Sequence, residues 1–155
     1  MFLIAETSVC VDCSIEHAFS VVSNMERFGE WFPEVISISS MNDLNHGEVN
    51  KTYVELVSVP LQGKRSIEIV VKESVPCSRF VTEGRLFPLL PRMEIELVTQ
   101  AESKTNIKWR MLSRSKSRIV KLLLLPVAKM IMQKRADSGV FALKSLLESG
   151  LRPVP

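Results

Sequence analysis

The sequence predicts a single α+β domain in which an antiparallel sheet packs against a long C-terminal helix. The chain has 155 residues, a length that suits one domain over residues 1–155. From residue 35 to residue 113, apolar and polar side chains alternate with period two, and turn signals, most of which contain Gly or Pro, separate the runs. Beyond residue 115 the apolar residues recur at helical spacing instead.

The first thirty-five residues predict one strand and two short helices. Loose alternation over residues 2–11 indicates a strand. Ser14 is then placed to cap the first helix, and Glu16 lies favourably in its first turn. A second short helix is predicted over residues 24–30, and Pro33 prevents it from continuing.

Five or six strands are predicted within the alternating region. In one of them Tyr53, Glu55 and Val57 share a face, opposite Val54 and Leu56. Turn signals lie at residues 45–47, 60–63, 76–78, 88–91 and 101–106. Such short turns join antiparallel neighbours, so we expect a meander rather than strand–helix units with a parallel sheet.

One apolar stripe defines the C-terminal helix. Its members are Met132, Ala136, Val140, Leu143 and Leu147. Pro126 should break or kink the segment, which leaves a helix over about residues 127–148, with Gly150 as its C-cap and Pro153 and Pro155 beyond. Gly139 lies inside the helix, either as a neutral residue or where another group approaches the backbone. The helix stripe and the inner sheet face must bury each other, and a strongly curved sheet would leave a hollow between them.

Charge is distributed unevenly along the chain. Residues 1–107 hold nine Lys/Arg and fifteen Asp/Glu, whereas residues 108–155 hold eleven and two, so −6 and +9 give the net +3. The segment from Lys108 to Arg135 contains nine basic residues and no acid. We expect either a solvated face against the acidic remainder or contact with a membrane surface or an acidic partner. Nucleic acid is not expected, because Trp109 is the single aromatic residue among these cations, too few to form a row of stacking platforms.

Three further observations concern the compartment of the protein. The apolar stretch at residues 119–132 is too short for a membrane span, which needs about 20 residues. The three cysteines are too few for a disulfide scaffold and odd in number, which favours a reducing compartment. Residues 1–5 lead into Glu6 without the features of a secretory signal. We therefore expect a cytoplasmic location.

Several segments resemble the START/SRPBCC superfamily. Residues 11–19 and 22–24, followed by residues 28–35 with a Trp31-Phe32-Pro33-Glu34-Val35 turn, resemble its opening strand, helix and tryptophan-x-proline-x-valine turn. Residues 104–109 are similar to its penultimate hairpin, and residues 142–148 to its closing helix. In element order the resemblance covers nearly the whole chain. The polyketide cyclase/dehydrase-like and coenzyme Q-binding-like branches are the most similar.

The resemblance implies the helix-grip fold: a curved seven-stranded antiparallel sheet wrapped around a long C-terminal helix, with two short helices after the first strand and a deep cavity. Members include lipid carriers, quinone-binding proteins and aromatic cyclases, so the fold leaves the function open. This sequence has no paired cysteine–histidine pattern for an iron–sulfur cluster, and His17 and His46 lie apart. We therefore expect no metal and no cofactor.

The sequence is compatible with three functions. The first is binding or transport of a small hydrophobic or amphipathic ligand, such as a lipid, a quinone or a polyketide-like molecule, in the central cavity. A cyclase or dehydratase enzyme is the alternative, and we expect a binding protein in preference to it. The third is a partner-binding module whose interior is filled by its own side chains.

Glu55 and Tyr53 are the catalytic candidates, because an acid and a phenol on one inner face can exchange protons or orient a ligand. For Tyr53 the alternative is a bond to its own backbone, and for Glu55 an outward position after a register slip. Ligand contact or core filling is expected for Trp31, Tyr53, Glu55, Ile67, Ile69, Phe80, Met93, Ile95, Trp109, Met111, Gly139 and Leu143. Glu94, Glu96 and Arg110 have the opposite parity and are expected to face solvent. The apolar loop at residues 86–91 either covers the cavity entrance, touches a membrane or partner, or simply packs.

Overall fold

The strands in the described residues form one antiparallel sheet. The computed structural model describes residues 1–59 and 62–149. Within those ranges there are seven strands: β1 (Phe2–Val11), β2 (Val35–Ser40), β3 (Thr52–Val59), β4 (Gly63–Val75), β5 (Arg79–Gly84), β6 (Pro91–Ala101) and β7 (Lys104–Ser113). Their order across the sheet is β1-β7-β6-β5-β4-β3-β2. The predicted meander is confirmed, with the seven strands that the resemblance implies.

Irregular pairing bends this sheet. The register shifts between Leu3 and Ala5 in β1, between Val35 and Ser37 in β2, and between Val71 and Glu73 in β4. An extra residue in one strand of a pair bends that strand and increases its twist. The shifts therefore help the sheet to curve around the C-terminal helix.

The short helices follow β1 as predicted. The helix α1 (Ile15–Val22) begins after Ser14, whose hydroxyl accepts a hydrogen bond of 3.2 Å from the N–H of His17. A 3₁₀ helix (Met25–Glu30) follows, and Asn24 caps it by accepting from the N–H of Glu26 at 3.1 Å. Each cap satisfies a backbone donor that has no partner within its own helix.

The C-terminal helix α2 (Leu125–Ser149) begins slightly before the predicted start. A π-helical turn (Val120–Leu124) leads directly into it, and the N–H of Leu125 bonds to the carbonyl of Val120. Pro126 has no N–H to donate, and the wider turn before it lets the chain continue as a helix where a break or a kink was expected. No helix within the described ranges is long and apolar enough to cross a membrane.

Two predicted features extend beyond the described residues. Pro60 and Leu61 belong to the turn predicted over residues 60–63, and Gly150, Pro153 and Pro155 belong to the predicted C-cap region. All five residues lie outside the ranges that the structure describes.

The helix α2 packs along β1 at one side of the sheet. The side-chain amide of Gln133 donates to the carbonyl of Glu6 at 2.9 Å, and Lys144 Nζ donates to the carbonyl of Cys10 at 3.0 Å. Because the helix lies along this edge, the space between α2 and the more distant strands is left for other side chains or for a ligand.

Gly139 marks a close approach between α2 and the residues before β2. A Cβ at this position would lie 3.0 Å from Cδ2 of Phe32 and 3.5 Å from Cδ of Pro33. The Phe32 ring is itself stacked, with its centroid 4.8 Å from that of Phe28 and 5.2 Å from that of Trp109. Gly139 is therefore not a neutral helix residue: it lies where Phe32 and Pro33 approach the helix backbone closely.

The outer sheet face carries a charged network that corrects one expectation. Glu94 was expected to face solvent, but it is buried. It accepts a hydrogen bond of 2.8 Å from Arg92 Nε and another from Arg110, and Arg79 lies 3.4 Å away. Burial by itself would raise the pKa of Glu94, but the hydrogen bonds from Arg92 and Arg110 outweigh it and lower the pKa. Long arginine side chains cover the carboxylate, although it lies on the outer face.

Candidate functional site

A cavity of about 100 Å³ lies between the sheet and α2. Residues from β3 to β7, the 3₁₀ helix, the loop between β5 and β6, and α2 form its wall. Most lining side chains are apolar, and four of them are methionines: Met25, Met93, Met111 and Met132. Leu86 and Leu89 show that the apolar loop contributes to this wall.

Glu55 is the carboxylic acid of this lining, among the described residues. It lies in β3 opposite Ile67 of β4, with 7% of its surface exposed. The alternation in β3 directs Glu55 to the same side as the buried Tyr53, as expected. Burial disfavours the charged form, and it raises the pKa of Glu55 to about 7. This carboxyl therefore exchanges its proton near neutral pH.

Arg135 is a second polar group of the lining, and sequence reasoning missed it. One guanidinium nitrogen donates to the carbonyl of Ser58 at 2.7 Å and so ties α2 to β3. Burial lowers the pKa of Arg135, while the charge of Glu34 acts in the opposite direction. Arg135 is three positions after Met132, which places both on the same helix face. The sequence did contain a signal for this residue, because Arg135 is a basic residue on the same face as the apolar stripe of the C-terminal helix.

The structure brings five of the twelve predicted ligand-contact residues to the cavity. They are Glu55, Ile67, Ile69, Met93 and Met111. All five belong to strands, in which successive side chains point to opposite faces, and alternation places them on the inner face. The lining also includes Phe28, Phe32, Leu124 and Ala128, which the prediction did not name.

Tyr53 is not part of the cavity lining. Its hydroxyl lies 2.7 Å from Nδ1 of His46, and the two rings are stacked with their centroids 5.8 Å apart. Burial raises the pKa of Tyr53 to about 12. The other ring nitrogen of His46 lies 3.7 Å from Glu26, so the phenol belongs to a polar cluster outside the cavity. The structure therefore separates Tyr53 from Glu55, although the two share a strand face.

The remaining predicted residues lie in the packed core. Trp31, Phe80, Ile95, Trp109, Gly139 and Leu143 are buried but do not line the cavity. In this structure these residues fill the core, which was the alternative to ligand contact. Several of them surround Phe32, whose ring stands between this aromatic core and the cavity.

Metal ligation has no visible basis in the described part of the chain. In residues 1–59 and 62–149, no group of three or more His, Cys, Asp or Glu side chains is arranged to hold a metal ion. All three cysteines, Cys10, Cys13 and Cys77, are free.

Comparison with solved structures gives a consistent fold. A START superfamily protein from Mycobacterium smegmatis superimposes with a TM-score of 0.72 at 15% identity, over 95% of this chain and 98% of that one. A protein from Thermus thermophilus gives a TM-score of 0.74 at 11% identity, over 94% and 97% of the two chains. This chain has the START fold. The Zhui aromatase/cyclase from a Streptomyces species shares it, with a TM-score of 0.68 at 12% identity, over 96% of this chain and 94% of that one.

The START fold leaves the activity open here, because one fold hosts many functions. No protein-family model matches the sequence, and a search of curated proteins finds no match either. The function must therefore be argued from the cavity and its side chains.

Proposed function

We propose that this protein binds a small hydrophobic or amphipathic molecule, such as a lipid, a quinone or a polyketide-like compound, in the cavity between the sheet and α2. The observation that carries the proposal is an apolar cavity of about 100 Å³ with one buried carboxyl group among the described lining residues. Ligand sites are commonly apolar with a few placed polar groups that orient the ligand. The cavity also favours ligand binding over a partner-binding module with a filled interior.

The size of the cavity limits what enters it without rearrangement. An apolar cavity of about 150 Å³ in another protein accepts benzene. The cavity of about 100 Å³ is smaller than that, so as it stands it takes only a group smaller than benzene, such as a short acyl segment. Methionine is unbranched and adapts its shape readily, so movement of Met25, Met93, Met111 or Met132 would admit a longer molecule.

Glu55 supplies the polar end of the proposed site. In its neutral form the carboxyl donates a hydrogen bond, and that form predominates below pH 7 because the pKa is about 7. We therefore expect ligands with a carbonyl or hydroxyl group that accepts this hydrogen bond. Binding of such a ligand should weaken as the pH rises above 7.

Native mass spectrometry of the purified protein, with extraction and identification of any retained compound, tests the proposal first. In parallel, the neutral fluorophore N-phenylnaphthylamine serves as an apolar probe, and because it has three aromatic rings its binding requires the lining methionines to move. Ala128 lines the cavity, so we expect Ala128→Phe to weaken probe binding by about ten-fold or more. Ser145→Phe adds the same ring at an exposed position of α2 and is the matched control. Equal probe affinity in all three proteins would contradict binding in the cavity.

An acid–base enzyme of the cyclase or dehydratase type is the second candidate. The observation that favours it is the pKa of Glu55, about 7, which is near the value at which a general acid or base works best at neutral pH. Glu55→Gln distinguishes the two functions. Loss of turnover with a retained compound still bound would favour the enzyme, whereas unaltered conversion of an added polyketide substrate would exclude Glu55 as its catalyst.

A further inference from the structure

The outer surface of α2 and of the π-helical turn before it carries a row of exposed apolar side chains. This outer ridge consists of Ile119, Leu122, Leu123 and Met130, which recur at helical spacing. Leu122 and Leu123 are 72% and 74% exposed, so they contribute almost nothing to the core. Contiguous exposed apolar groups of this kind usually mark a contact with a membrane or another protein.

The same helical segment also forms a wall of the cavity. Leu124 and Ala128 line the cavity, while Leu122 and Leu123 point outward one turn or less away. One stretch of helix therefore separates the outer ridge from the proposed ligand site. A molecule held in the cavity lies close to whatever covers the ridge.

Cations flank the outer ridge. Within residues 108–135, Lys108 pairs with Glu6 at 3.1 Å and Arg114 with Glu83 at 3.4 Å. The cations nearest the ridge in sequence have no ion pair with any described residue: Lys116, Arg118, Lys121, Lys129 and Lys134. The outer ridge is thus an apolar strip with a positive border.

We propose that the outer ridge docks on the surface of an anionic lipid bilayer. Aliphatic side chains with lysine and arginine beside them are typical of helices that lie in the interface of such membranes. The centre of a protein–protein interface is instead enriched in aromatic residues and depleted in lysine. The ridge has no aromatic residue on which bases would stack, which argues against single-stranded nucleic acid.

Vesicle flotation tests this proposal. The purified protein should float with phosphatidylcholine vesicles that contain phosphatidylglycerol at about 0.1 M salt, and less at about 1 M, where the screening length falls to about 3 Å. Leu122→Ser combined with Leu123→Ser should weaken binding by about ten-fold or more. Val98→Ser is the control, because Val98 is 59% exposed but lies on β6, on the sheet face that points away from α2. It should bind as the wild type does.

A charge variant and a cavity variant complete the test. Lys116→Gln with Lys129→Gln should reduce flotation with anionic vesicles and leave binding to pure phosphatidylcholine unchanged. Ala128→Phe fills the cavity and should float normally, which separates this proposal from the proposed ligand binding. Wild-type protein that does not float with anionic vesicles overturns the proposal. Undiminished flotation of the double serine variant, or a dimer in gel filtration that this variant abolishes, also overturns it.

Discussion

Glu55 is a single carboxyl group whose surroundings set its chemistry. It is enclosed by apolar side chains, and burial is the cause of its raised pKa. Glu94 is also buried, yet its pKa is lowered because arginines surround it. The comparison shows that the neighbours of a buried acid, rather than its burial alone, decide its charge.

The raised pKa of Glu55 predicts a stability that falls with pH. Between the ordinary value of 4.5 and about 7, the folded protein keeps a proton that the unfolded chain has lost, so folding weakens as the pH rises and levels off above 7. The loss should reach about 3 kcal/mol. Glu55→Gln removes the titration, and urea unfolding at about pH 5 and about pH 9 should show a flatter profile for the variant.

Glu102→Gln provides the control for this prediction. Glu102 lies exposed in the turn between β6 and β7, so its replacement should leave the pH profile of the wild type intact. Parallel profiles for Glu55→Gln and the wild type would show that Glu55 does not carry the proton in question.

Gly139→Ala should destabilise the protein even though alanine favours helices. The gain in helix propensity is about 1 kcal/mol, whereas forcing a methyl group into a packed site costs about 1–3 kcal/mol. The added Cβ would lie 3.0 Å from a stacked Phe32 ring, so we expect a net loss of about 1 kcal/mol in unfolding experiments.

Two further variants isolate this contact. Ser138→Ala changes an exposed neighbour on α2 and should alter stability by no more than about 0.5 kcal/mol. In a Phe32→Leu background the cost of Gly139→Ala should shrink, and a double-mutant cycle measures that difference. An undiminished cost would locate the strain elsewhere.

At the scale of elements, the charged network joins the strands β4 to β7 on the outer face. Arg92 reaches Glu73 of β4 at 3.1 Å and Glu83 of β5 at 3.0 Å, and it shares Glu94 of β6 with Arg110 of β7. Removing the charge of Glu94 takes away the one buried carboxylate that Arg79, Arg92 and Arg110 share, and leaves them with the more exposed acids around it.

Glu94→Gln should therefore cost about 3 kcal/mol, as loss of one partner from a buried ion pair typically does. Glu96→Gln is the matched change. Glu96 lies two residues further along β6, on the same face, and its side chain is 41% exposed and 2.7 Å from Arg79. It should cost less than about 1 kcal/mol. Denaturant unfolding of both variants measures the difference, and equal costs would contradict the central position of Glu94.

The elements themselves were largely predictable, and the exceptions have physical reasons. The caps Ser14 and Asn24 act through neighbours two or three residues away, so local sequence contains the information. The π-helical turn before Pro126 was not predicted, because a proline can be accommodated by a break, a kink or a wider turn. Packing against the rest of the molecule decides among them.

At the scale of the whole molecule, an occupied cavity should raise thermal stability. Free probe at about 100 times its Kd adds about 2.7 kcal/mol to the folded state. For a chain of 155 residues this corresponds to a rise of roughly 5–10 °C in Tm. Differential scanning calorimetry with N-phenylnaphthylamine should show that rise for wild type and Ser145→Phe. Ala128→Phe should show none, and a rise in that variant would indicate binding outside the cavity.

The candidate site was only partly predictable. Alternation correctly indicated that Tyr53 and Glu55 share the buried side of β3, because successive side chains point to opposite faces. It does not indicate where along the strand the cavity ends, since that depends on Phe32, Leu124 and other residues distant in sequence. For the same reason Tyr53 bonds to His46 instead of facing the cavity.

The pairing of β1 with β7 has a consequence for synthesis of the protein. Phe2 is opposite Ser113 and Val11 is opposite Thr105, so β1 pairs with its neighbour only after about a hundred further residues have been added. At ribosomal rates of about 5–20 residues per second, that interval is roughly 5–20 s. During it β1 presents unpaired backbone groups and the side chains of Ile4 and Ala5, which are buried in the finished protein. We therefore expect the nascent chain to bind chaperones that shield extended apolar segments until β7 has emerged.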